Sequence, residues 1–183
     1  MGILRTNDGA MVRFRSAHPR DRDKVQAYFG SLSAQARYNR FLGGMNRLPD
    51  AVLDYFVQAA RADRVTILAT VAFDGRETIV GEGCYVLDTS ASGVELALSV
   101  HDDWQGRGIG TSLVGRLEDC AAAFGALRIF GDTLRSNERI CGGARAFGYI
   151  SSTGSDLRVI HLEKRLAAVE QSIGAISSSP YWR

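Results

Sequence analysis

The sequence predicts an α/β protein of the α+β type: a mixed, mostly antiparallel central sheet flanked by helices, with a ligand site where a strand turns into a helix. Three observations carry this. From Val65 the apolar spacing changes from helical to alternating and gives three strand-like runs joined by turns. Beyond Gly108 the pattern alternates helix, strand, helix, strand. Between these regions lies a glycine-rich run, Gln105-Gly106-Arg107-Gly108-Ile109-Gly110.

The elements follow in order. Met11 to Arg15 sets Met11, Arg13 and Arg15 against Val12 and Phe14, a short strand, and Pro19 with Asp21 opens a helix to about Phe29. Ser33 caps a second helix through Phe41, and Asp50 a third through Ala60. Val65 to Phe73, a turn at Asp74-Gly75, Thr78 to Leu87, a turn at Ser90 to Gly93, and Val94 to Val100 form an antiparallel meander. Gly108 to Phe124 is helical, Leu127 to Phe130 a buried strand, Asn137 to Phe147 a helix and Leu157 to Leu162 the last strand. Residues 1–166 make one domain. Residues 167–183 form a loosely held tail, whose apolar Ile173, Ile176, Tyr181 and Trp182 offer a surface to a partner subunit. Monomer and homodimer both stay open.

Composition narrows the function. With 45% apolar and 23% charged residues, the chain of 183 residues is an ordinary globular protein able to bury one core. No run approaches the ~18 apolar residues of a membrane span, and Met1 to Ala10 lacks the apolar centre of a signal peptide. Both point to the cytoplasm and away from a membrane. Cys84, Cys120 and Cys141 form no C-x-x-C pair and read as small core residues, while His18, His101 and His161 lack ligand spacing, so no metal is expected. A net charge of +2 does not support a nucleic-acid partner. Arg13, Arg15, Arg20, Arg22 and Lys24 cluster, but Asp21 and Asp23 interleave with them, as in a solvated turn.

Along Val94 to Val100, the apolar Val94, Leu96, Leu98 and Val100 fall on one face, and Glu95, Ala97 and Ser99 on the other. A carboxylate beside two small side chains leaves room for a ligand. After His101 to Trp104 the glycine run opens a helix whose Leu113, Val114, Leu117, Ala121 and Phe124 form one apolar stripe. Backbone amides at a helix start are unpaired and the dipole adds about half a positive charge, so the run suits a diphosphate. A Walker A loop is excluded because Gly110-Thr111 lacks the required Lys. The dinucleotide pattern G-x-G-x-x-G meets Thr111 at its third glycine, although Asp132 stands where a ribose-binding acid is sought.

The run Gln105 to Gly110 resembles the Q/R-x-x-G-x-G/A motif of the GNAT superfamily of N-acetyltransferases, at the expected strand-to-helix junction. Asn137 to Tyr149 resembles the family's Asn-led helix ending in Gly-Phe, with Asn137, Ile140, Ala144, Phe147, Gly148 and Tyr149 in register. It departs at Gly142-Gly143, which weaken a helix by roughly 1 kcal/mol each and predict a kink. Phe14 to Asp21 and Ser31 to Phe41 look like the opening of a subgroup with bacterial protein-lysine acetyltransferases, with Ala34 and Ala36 replacing the usual Pro and Ser.

The resemblance implies acetyl-CoA as co-substrate, with pantetheine along Leu98, Ser99 and Val100. Its diphosphate then lies at Gln105, Gly106, Arg107, Gly108, Ile109, Gly110 and Thr111, and Asn137 lies beside it. Glu95 falls five residues before Val100, about 16 Å along a strand and of the order of a pantetheine arm. It is the expected general base for an amine acceptor, with Glu82 in reserve; the backbone amide near Leu98 polarises the thioester carbonyl. Where relatives carry a Tyr acid this chain has Ala144, and no acid is assigned among Cys141, Ser136 and water. The expected activity is acetyl transfer to a primary amine, a protein lysine ahead of a small-molecule amine. A non-catalytic acyl-CoA-binding module and a nucleotide-binding oxidoreductase are the alternatives.

Overall fold

A computed structural model describes residues 2–58, 60–61, 63–89, 93–153 and 156–167 of the chain. The first hairpin joins β1 (Gly2–Arg5) to β2 (Met11–Ser16), whose Val12 and Phe14 are buried while Met11 and Arg13 face solvent. A single turn of 3₁₀ helix, Pro19–Asp21, leads into α1 (Arg22–Ser31). α2 (Ala34–Phe41) is capped by Ser33, whose Oγ accepts from the Ala36 amide at 3.1 Å. α3 runs from Asp50 to Val57 with Pro49 at its cap position. Asp50 is thus the first helical residue, not the cap, and the helix ends before the expected Ala60.

The predicted meander is β3 (Arg64–Phe73), β4 (Arg76–Asp88) and β5 (Gly93–Val100). After it come α4 (Ile109–Ala123), β6 (Arg128–Leu134), α5 (Glu138–Ala144), β7 (Ile150–Thr153) and β8 (Val159–Arg165). The eight strands lie in the order β1-β2-β3-β4-β5-β6-β8-β7, and only β5 and β6 pair in parallel. That arrangement rules out a doubly wound dinucleotide-binding sheet. The predicted turn at 90–93 lies outside the described residues except for Gly93, and the predicted tail lies outside them after Ala167.

Both faces of the sheet are covered near its middle. Leu113, Leu117 and Ala121 of α4 pack on one face against Ile67, Ala69, Tyr85 and Ile129. Tyr28, Phe29, Leu53 and Phe56 of α1 and α3 pack on the other against Leu68 and Ile79. The basic cluster is more than a solvated turn: Asp21 is buried, and Arg15 grips it at 2.6 Å and Glu77 at 2.7 Å. The hydrogen bonds of Arg15 pull the Glu77 carboxyl down to about 2. Gly142-Gly143 also leave their mark, because α5 stops at Ala144 and Arg145–Phe147 tighten into a 3₁₀ turn.

β5 and β6 share only two register pairs, Val94 with Ile129 and Glu95 with Phe130, although both strands run on. The next residue of β6 is Gly131, where a Cβ would stand 2.4 Å from the Leu96 carbonyl oxygen. This glycine lets the two backbones touch just before they part. The partner in that clash is backbone, so Gly131→Ala should lower stability by about 1–3 kcal/mol in denaturant unfolding. Gly115→Ala, in open space on α4, should be neutral or stabilising; equal effects would contradict the close-approach account.

Candidate active site

Among the described residues, the parting of β5 and β6 leaves the edge of β5 after Leu96 without a strand partner, while its other edge pairs with β4 from Gly93 to Val100. An unpaired strand edge presents N-H and C=O groups to an extended ligand. β5 ends at this open edge and feeds, through the 3₁₀ turn Asp102–Trp104, into the glycine run. Gly106 and Gly108 adopt φ of +78° and +80°, a left-handed backbone that side chains other than glycine strain to reach. Gly108 supplies no side-chain cap to α4, and the first intrahelical bond runs from Ser112 N-H to the Gly108 carbonyl. The amides of Ile109, Gly110 and Thr111 therefore sit at an uncapped helix start.

Several predicted site residues converge here. A Cβ placed on Gly110 would lie 3.8 Å from both Leu98 Cδ1 and Val100 Cγ2, so the first turn of α4 packs directly on the end of β5. Gln105 donates from Nε2 to the Val100 carbonyl at 3.1 Å and accepts from Arg139 Nη1 at 3.0 Å. That second bond ties the turn to α5, whose N-terminus is Asn137. The Asn137 side chain makes no cap bond to the helix. Arg107 is engaged elsewhere: it pairs with Asp8, donates to the Asp103 carbonyl at 2.9 Å and lies 4.7 Å from the Trp104 ring centroid.

The other face of β5 carries Glu95, Ala97 and Ser99, and two carboxylates there divide into different environments. Glu95 is exposed and has no ion pair among the described residues. Glu82, opposite Ser99 on β4, is buried. It accepts from Arg40 Nε at 2.6 Å, from Arg40 Nη2 at 3.3 Å and from Ser99 Oγ at 2.8 Å, and Ser99 in turn lies 3.0 Å from the Tyr28 hydroxyl. Burial alone would lower the Arg40 pKa, but the Glu82 charge outweighs it and holds the guanidinium protonated. Burial and the Glu82 charge push the Tyr28 hydroxyl up.

The same network fixes what Cys84 and Ser99 can do. Arg40 Nη2 lies 3.3 Å from Cys84 Sγ, and burial pushes the thiol up to about 11. The Ser99 side chain is committed to Glu82, and because the His101 N-H bonds to the Val80 carbonyl the antiparallel alternation turns the Ser99 backbone toward β4, so Leu98 and Val100 carry the backbone groups on the open edge. Ala144 is a buried core residue, and Cys141 Sγ lies 3.7 Å from the Leu134 carbonyl. Asp132, considered as a ribose acid, instead lies 2.8 Å from His161 Nδ1, with His161 directly opposite on β8.

Sequence reasoning missed Arg40, Arg139 and Gly131. Arg40 enters the sequence reading only within the Ser31 to Phe41 segment, and its burial depends on β4 lying beneath α2. The acetyltransferase (GNAT) family profile matches residues 15–149, a span that runs from β2 through the glycine turn and α5 to the residue before β7. The chain belongs to the GNAT acetyltransferase family. Acetyltransferase PA5475 of Pseudomonas aeruginosa is 27% identical over 157 residues, covering 85% of this chain and 84% of that protein. The GNAT domain of S. lividans PAT superposes with a TM-score of 0.80 at 22% identity, covering 90% of this chain and 96% of that one. The structure of yncA from Salmonella typhimurium with its cofactor acetyl-CoA superposes with a TM-score of 0.66 at 15% identity, covering 91% and 99%.

As a GNAT acetyltransferase the protein uses acetyl-CoA as co-substrate, and the mixed sheet that the sequence predicts is the family's fold. Within it the Arg40–Glu82 pair is buried on both sides, at 7% and 4% side-chain exposure. Glu82→Gln should therefore leave an uncompensated guanidinium and cost about 3–5 kcal/mol of unfolding free energy. The double replacement Arg40→Met with Glu82→Met should recover most of that loss. A single-variant cost below about 1 kcal/mol would contradict a buried pair.

Proposed function

We propose that this GNAT enzyme transfers the acetyl group of acetyl-CoA to a primary amine, with Glu95 as general base. The observation that carries the reading is the difference between the two carboxylates on one face of the sheet. Glu82 is saturated by Arg40 and Ser99, whereas Glu95 is exposed, free of ion pairs among the described residues, and placed where β5 and β6 begin to part. An ammonium has no lone pair, so Glu95 takes its proton directly or through water before attack. The amine nitrogen then bonds to the thioester carbonyl carbon, the carbon–sulfur bond breaks, the nitrogen's surplus proton passes through water to the leaving thiolate, and Glu95 returns its own proton to solvent.

On this reading the pantetheine arm lies along Leu98, Ser99 and Val100, bonded to the backbone of Leu98 and Val100, and the amides from Gln105 to Thr111 hold the diphosphate, with Asn137 flanking it. The backbone amide near Leu98 polarises the thioester carbonyl. The open setting of Glu95 favours an acceptor that brings its own surface, a protein lysine, over a small amine. Three free cysteines accord with action in the reducing cytoplasm, and one sheet running from Gly2 to Arg165 accords with a domain of residues 1–166.

Release of free CoA from acetyl-CoA, followed with a panel of lysine-bearing proteins and small amines, tests the reading. Glu95→Gln should lower kcat by about 10²- to 10⁴-fold while acetyl-CoA affinity holds. Turnover within a few-fold of wild type would remove Glu95 from the mechanism, and faster turnover of small amines than of every protein would reverse the acceptor assignment.

A further inference from the structure

The glycine turn needs more positive charge than it carries. A helix N-terminus contributes about half a unit, whereas a diphosphate brings two negative oxygens to the same place. The turn's own cation, Arg107, is paired with Asp8 and stacked on Trp104. Two carboxylates stand at its entrance: Asp102, held by the Ser33 amide at 2.9 Å and hydroxyl at 2.6 Å, and Asp103, whose side chain is 86% exposed. Without a further cation the turn would set a diphosphate beside the exposed Asp103 carboxylate.

A cation on a different element stands beside the turn. Arg139, the second residue of α5, is exposed and pairs with no carboxylate among the described residues. Its Nη1 donates to Gln105 Oε1 at 3.0 Å, a neutral acceptor that leaves the guanidinium charge uncompensated. A guanidinium has five N-H donors in a fixed fork, so one bond to Gln105 orients the group and leaves four for phosphate oxygens. Gln105 is itself fixed, since its Nε2 donates to the Val100 carbonyl at the end of β5. The chain Val100, Gln105, Arg139 thus spans from β5 to α5 at the turn.

We propose that Arg139 clamps the diphosphate of acetyl-CoA, with Gln105 as the residue that positions it; this rests on the reading of the turn as the diphosphate site. The arrangement separates two jobs that one residue often combines. The glycine amides set where the phosphates lie, and Arg139 supplies charge from across the gap between β5 and α5. It also gives Gln105 a role that its place in the motif does not reveal.

A ligand series that removes phosphates stepwise tests the proposal: acetyl-CoA, its 3′-dephospho form, and S-acetylpantetheine, each titrated into wild type, Arg139→Gln and Gln105→Ala. Arg139→Gln should weaken acetyl-CoA and its dephospho form alike, by about 10- to 100-fold, and leave S-acetylpantetheine unchanged. Gln105→Ala should weaken the same two ligands by a smaller factor. Equal weakening of all three ligands would mean a structural role, and an unchanged dephospho form would place the contact on the 3′-phosphate; either overturns the diphosphate clamp. If wild type itself binds acetyl-CoA no more tightly than S-acetylpantetheine, the reading of the turn fails, and the clamp with it.

Discussion

β5 and β6 run side by side for two residues and then part, and the architecture of the site depends on that separation. A parallel pair that stayed zipped would consume every backbone group on the inner edge of β5. Gly131 brings the β6 backbone against the Leu96 carbonyl at the last point of contact. Beyond it β5 has hydrogen-bonding groups on one side without a strand to receive them. The same strand runs directly into the uncapped N-terminus of α4, so an open edge and an amide cradle follow one another along a single stretch of chain. A ligand with an extended arm and a phosphate end matches that sequence of groups.

The helices on the opposite face hold this strand in place by polar as well as apolar contacts. Arg40 of α2 reaches down to Glu82 on β4, Glu82 accepts from Ser99 on β5, and Ser99 meets Tyr28 of α1. At its other end α2 is tied to the entrance of the glycine turn, because Ser33 donates to Asp102. Buried charges stabilise little by themselves, but a fully partnered set fixes one arrangement of the elements that carry it. Here that set fixes the register of β4 with β5 and the position of α2 above them. Glu95, outside the network, keeps its carboxylate exposed to solvent.

Much of this was legible in the sequence where local rules dominate. The alternation of Val94 to Val100 gave both faces of β5, and the glycine spacing gave the turn and the helix behind it. Ser33 and the pair Gly142-Gly143 behaved as their conformational preferences dictate. What escaped depends on distant pairing. β1 and β7 have four residues each, too few to show a period, and form because β2 and β8 offer edges to them. The burial of Arg40, the engagement of Arg107 by Asp8 and the bond between Arg139 and Gln105 join residues separated by 42, 99 and 34 positions. No short-range pattern encodes such contacts.

On the proposed reading one continuous stretch, the free edge of β5 and the turn that follows it, receives the co-substrate. Amide hydrogen exchange with and without acetyl-CoA tests it most directly. Slowed exchange should concentrate at Leu98 and Val100 and at Gly106 to Thr111, with the β3 and β4 amides unchanged. Binding of acetyl-CoA with no slowing in those two segments, or with protection centred on another part of the sheet, would contradict it.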